Sequence, residues 1–229
     1  MWNGIVGSEY IVIYWFFISL FICYLCIPLF SAVPEGKRKD IFLYLIGLAF
    51  VCNSLAPFLI KIFCPALKRP FHIDVMGGFL IYILLGYILS RFDILSRYRY
   101  WIYIIGIIGL LAHIIGTYSL SIKAGEIIQT YKGYLNVPCI LYSVAVFVFI
   151  KVHSDEVMAK VGGVVRWLKD YTFAVFLMHY FIINIFVRIF HIHTHSLVYR
   201  IFGAIVISII CIFIAAIIRK IPYGRKILP

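Results

Sequence analysis

The chain has 229 residues, of which 64% are hydrophobic, 18% aromatic and only 13% charged, and its mean hydropathy is +1.05. So few polar residues cannot cover a water-exposed surface, which excludes a soluble globular domain and reads as an integral membrane protein. The formal charge of +12 does not point to nucleic acid either, because the basic residues stand in short clusters between apolar runs, as they do at the cytoplasmic ends of membrane helices.

Crossing about 30 Å of hydrocarbon takes roughly 20 apolar residues in a helix. That length predicts seven spans, near residues 9–31, 41–60, 74–91, 101–120, 134–151, 171–190 and 198–218, in one all-α polytopic membrane bundle covering 1–229. No charged segment and cleavage site follow Met1, so no signal peptide is read. The first span carries Cys23 and Cys26 at a zinc-like spacing, but no second pair lies nearby. With Cys52, Cys64, Cys139 and Cys211 they read as small core residues, and neither a disulfide nor a metal is expected. PEGKRKD at 34–40 separates the first two spans, and KIFCPALKRP at 61–70 separates the next two. Asp74 then opens the third span, where a carboxylate favours a helix N-terminus.

RFDILSRYRY at 91–100 alternates Arg97 and Arg99 with Tyr98 and Tyr100, ahead of Trp101. The pattern fits a basic and aromatic anchor at the membrane surface, or cations that attract the phosphates of a donor substrate. A polar piece at 121–136 follows the fourth span. The segment 154–170, with Val, Met and Trp between charges, reads as an interfacial helix, and Asp170 as the opening carboxylate of the sixth span. Inside that span, YTFAVFLMHYFIINIF at 171–186 holds His179 among apolar residues. An imidazole there needs a hydrogen-bond partner or a polar cavity, and both readings stand. His191, His193 and His195 alternate in the loop beyond; their position on the predicted outer face fits an interfacial loop better than a metal site.

Lys and Arg concentrate on one side. With the N-terminus outside and the C-terminus inside, fourteen of the 21 fall in cytoplasmic loops, among them Lys37, Arg38, Lys39, Arg91, Arg97, Arg99 and Lys151. The twofold bias predicts an N-out, C-in chain.

Four stretches carry a family resemblance. YWFFISLFICYLCIPLF (14–30), GGFLIYILLGYILSRF (77–92), TFAVFLMHYFI (172–182) and KIPYGRKIL (220–228) resemble, in order, landmarks of the acyltransferase 3 family, bacterial membrane enzymes that O-acylate surface polysaccharides and related glycans. The resemblance implies an O-acyltransferase, an O-acetyltransferase in particular, in the bacterial inner membrane. No bound cofactor is implied; acyl-CoA, here acetyl-CoA, would be the donor substrate, and the partners would be membrane lipid and a glycan or polysaccharide acceptor.

It also implies that the landmarks match the C-terminal two-thirds of the family domain. The family's basic residue and following His, taken to act at acyl transfer, belong to helices ahead of these landmarks and have no matching positions here. Lys61 and His72 imitate the spacing, but Pro65 and Pro70 break any helix between them. The expectation is therefore a truncated chain, inactive alone and completed by an N-terminal fragment, with catalytic residues unassigned. Site residues implied by the resemblance are His179, Trp15 and Asp74 for the acceptor and Arg97 and Arg99 for the donor. A non-catalytic membrane module or a small multi-pass transporter is the alternative, although no repeated halves with broken helices are present.

Overall fold

The computed structural model describes residues 15–64, 79–190 and 197–221, and these are helical with no strand. Seven continuous helices occur among them: α1 Trp15–Ser31, α2 Glu35–Phe63, α3 Leu80–Arg91, α4 Ser96–Ala124, α5 Val137–Val152, α6 Ser154–Phe190 and α7 Leu197–Ile218. Three of them, α2, α4 and α6, are long and apolar enough to cross a membrane. Only 22%, 11% and 6% of their most apolar windows are buried, so these apolar surfaces do not form a soluble protein's core. Phe21, Leu29, Phe63 and Phe213 stand out likewise at 64%, 70%, 75% and 66% exposure. In water such a surface would aggregate; in lipid it is solvated, and the helix satisfies every interior backbone group by itself.

The chain divides into two compact units, 1–154 and 155–229. In the first, Pro34 precedes α2, and Arg38 in its first turns reaches back to α1, donating to Val33 O at 2.7 Å and Ser31 O at 2.9 Å. These bonds occupy backbone carbonyls at and just beyond the end of α1, where a helix leaves such groups unpaired. Further along α2, Phe50–Leu55 forms a π turn. Its cause is Pro57, which has no N–H for the carbonyl of Asn53 and whose ring crowds that group. A second π turn, Ala112–Gly116, lies in α4.

α5 packs against α3, α4 and both π turns. Its approach to α4 is close: a Cβ on Gly106 would collide with the Cβ of Ala145, and one on Gly109 would lie 3.0 Å from Leu141 Cβ and Pro138 O. Small residues let helix backbones meet where no hydrophobic effect drives them together. Ala49, Ile81 and Ile140 form the buried centre shared by α2, α3 and α5.

In the second unit, Ala174 of α6 meets Ala215 of α7, flanked by Tyr171, Leu177, Met178 and Ile218. The guanidinium of Arg219 lies 4.9 Å from the centre of the Tyr171 ring. At 37 residues α6 is roughly 55 Å long, well beyond the hydrocarbon thickness. It corrects the expectation of an interfacial helix at 154–170 distinct from a span at 171–190. No proline interrupts the segment and the helix runs through Gly162 and Gly163, so Asp170 sits inside the helix rather than at its start. The other predicted spans find shorter helices: α3 has 12 residues and α5 has 16. Residues 9–14 and 74–78 of the expected spans lie outside the described residues.

Candidate functional site

His179 is the predicted site residue around which a cleft is built. On α6, Thr172, Val175, Phe176, His179 and Ile183 recur at helical spacing along one face. They oppose Tyr199, Gly203 and Ser208 of α7 across a cleft of about 510 Å³. His179 Nδ1 lies 2.6 Å from Phe176 O and 3.2 Å from Val175 O. Carbonyl oxygens only accept, so Nδ1 carries the proton and donates, and a neutral ring holds its lone pair on Nε2. Both readings of the sequence therefore meet in one residue: the imidazole is satisfied by backbone, of its own helix, and it lines a cleft.

The cleft's hydroxyls are committed in the same way. Thr172 Oγ1 donates to Lys169 O at 2.8 Å and Ser208 Oγ to Ala204 O at 2.7 Å, as such side chains do in apolar helices. Three polar groups thus spend their hydrogens on the helices that carry them. These three groups keep lone pairs for a ligand, and Tyr199 adds a phenolic hydroxyl that can donate or accept, so the cleft suits a molecule that carries hydroxyls.

The remaining predicted residues are not gathered there. Trp15 is the first residue of α1, and its side chain, like the whole of Asp74, lies outside the described residues. Arg97 and Arg99 stand in the first turn of α4 and behave differently. Arg99 Nε donates to Ile94 O at 2.9 Å and lines a cavity of about 200 Å³ with Asp93 and Lys151. Lys151 Nζ closes the end of α3 by donating to Leu89 O at 2.8 Å and Phe92 O at 3.1 Å, with Asp93 Oδ1 at 3.3 Å. Arg97 stays exposed, its guanidinium 4.6 Å from the Tyr98 ring centre and hydrogen-bonded to the Tyr98 hydroxyl at 2.8 Å. Lys151 was legible only as an inside charge; its role in the turn needs a contact 62 residues away in sequence.

Sequence reasoning passed over a second polar group in the first unit. Asn53 and Ser54 are buried in the π turn of α2. His113, in the π turn of α4, sets its ring edge-on to Tyr142 at 5.7 Å. The Tyr142 hydroxyl lies 3.1 Å from Cys139 Sγ, and Tyr82, 3.7 Å from the same sulfur, donates to Tyr134 O. Ser54 Oγ, Tyr103 OH, His113 Nδ1 and Thr117 Oγ1 are buried with no hydrogen-bond partner among the described residues. The available signal was Pro57, which bends the ladder and turns Asn53 and Ser54 inward.

Among the described residues no group of three or more His, Cys, Asp or Glu is placed to hold a metal ion, and all six cysteines are free. His191, His193 and His195 lie outside the described residues.

No curated protein and no solved structure matches the chain with significance. The three long apolar helices mark an integral membrane protein. Together with this architecture, the match of residues 2–217 to the acyltransferase 3 family model, described as an acyltransferase domain, shows that the chain belongs to the acyltransferase 3 family.

Proposed function

We propose that the protein is an inner-membrane O-acyltransferase that moves an acyl group, acetyl by preference, from acyl-CoA in the cytoplasm to a hydroxyl of a cell-surface polysaccharide or related glycan. Seven crossings with the N-terminus outside and the C-terminus inside accommodate this, as the Lys and Arg bias suggests. The observation that carries the reading is the His179 cleft itself, where the free Nε2 of the imidazole shares a lining with the hydroxyl-bearing Thr172, Tyr199 and Ser208, a set that suits an acceptor rich in hydroxyls. This reading departs from the expectation of a chain inactive alone and gives the unassigned base role to His179: Nε2 takes the proton as the acceptor oxygen attacks the thioester carbonyl. The new C–O bond forms, the C–S bond breaks, and the imidazolium returns its proton to the departing thiolate. Arg97 and Arg99 attract the donor's phosphates, and Trp15 and Asp74 contribute acceptor contacts.

The test is mass spectrometry of ester-linked acyl groups on the surface glycan of a host lacking its own acyltransferases of this kind. The full chain should add such esters. His179→Ala should lower their yield about a hundredfold to ten-thousandfold, the usual share of a general base. Unmodified glycan with the wild-type chain, or undiminished esters with His179→Ala, contradicts the reading.

A further inference from the structure

In the first unit, the C-terminal ends of α2 and α4 bring Lys61 and Lys123 to the rim of one cleft of about 590 Å³. Each lysine alone has a plain explanation, since a cation in the last turn of a helix favours the macrodipole. That does not explain why two of them converge on one cleft. Both are exposed, and among the described residues no carboxylate pairs with either. Ile62, Leu120 and Ile128 supply apolar lining beneath them.

The cleft wall is a folded loop. Gly125, at φ +69°, turns the chain out of α4. Ile128 N donates to Ser121 Oγ at 3.0 Å, and Asn136 Nδ2 donates to Gln129 O at 3.0 Å and Thr130 O at 2.8 Å. Tyr131 rests where a Cβ on Gly116 would lie only 2.6–2.8 Å from its ring, and meets Phe58 of α2 edge-on at 5.3 Å. Gly116 is therefore needed for the loop to close, and the loop holds both helix ends to one shape.

We infer that this cleft binds the phosphate headgroup of an anionic lipid, with the two ammonium groups on the phosphate and the hydrocarbon tail along Ile62, Leu120 and Ile128. Two cations in bulk water would hold phosphate weakly and under strong screening. Beside apolar lining at the end of two membrane-length helices, the same cations suit an amphiphile whose charge and tail are joined. The inference is independent of the acyl-transfer reading and survives its failure.

The experiment is native mass spectrometry of the purified full chain, titrated with phosphatidylglycerol or phosphatidylcholine, with inorganic phosphate as a separate arm. Phosphatidylglycerol should be retained about tenfold to thirtyfold more strongly than phosphatidylcholine, the scale of two lysines at an anionic surface. Lys61→Gln with Lys123→Gln should abolish that preference, Lys61→Arg with Lys123→Arg should keep it, and Lys37→Gln with Lys39→Gln should leave it unchanged. Equal retention of the two lipids, or a preference that survives the double glutamine variant, overturns the site. Inorganic phosphate binding as tightly as phosphatidylglycerol overturns the role of the tail.

Discussion

Two histidines sit in apolar helices of this protein and are held in opposite ways. His179 Nδ1 donates to carbonyls of its own helix, whereas His113 Nδ1 is buried with no hydrogen-bond partner among the described residues. A buried polar atom left unpaired costs about 1–3 kcal/mol, and an apolar group of similar shape removes that cost. His113→Phe keeps a ring against Tyr142 and should therefore leave thermal stability in detergent unchanged or raise it by about 1 kcal/mol. Marked destabilisation would mean that the imidazole nitrogen is bonded after all. At this scale the sequence showed why His179 needs explaining but not how it is satisfied, because any helix carbonyl, already bonded in the backbone ladder, offers a second lone pair. His113 drew no notice, since its exceptional feature is the π turn around it and no proline announces that turn.

Among the elements, the 20-residue ruler matches seven helices among the described residues, but α2 and α4 begin six and five residues earlier than expected, at Glu35 and Ser96. Pro34 stands between α1 and α2, the cluster at 37–39 falls in the first turns of α2 rather than ahead of it, and the polar piece after Ala124 ends α4. The ruler failed where nothing ends the helix. Residues 154–170 change character in composition and carry the pair Gly162 and Gly163 but no proline, and backbone hydrogen bonding runs through both the glycines and the change of polarity. The continuity of α6 can be tested at Gly163, where a Cβ would meet nothing within 4 Å. In an unbroken helix Gly163→Ala should stabilise by roughly 0.5–1 kcal/mol through the backbone entropy it removes from the unfolded chain. A loss of stability on unfolding would indicate a break between the two halves of α6. The α4 and α5 contact was not legible, because Gly106 and Gly109 acquire their meaning only opposite Leu141 and Ala145.

For the whole molecule, composition alone set the solvent, and the exposed apolar residues of α1, α2 and α7 bear this out. Orientation rests on the charge bias. Reporter tags after Lys39 and at Pro229 should read as cytoplasmic, and one between Lys123 and Lys132 as outside; the reverse pattern contradicts the N-out arrangement. The family match, over residues 2–217, takes in residues of both compact units. The most direct measurement places the purified full chain in proteoliposomes with acetyl-CoA carrying a ¹³C-labelled acetyl group on the face of the C-terminus and a glycan acceptor on the other. Labelled ester on the acceptor, lost with His179→Ala while the variant unfolds at an unchanged temperature, is the expected result. Labelled ester formed equally by wild type and His179→Ala, or formed by neither, would contradict the account.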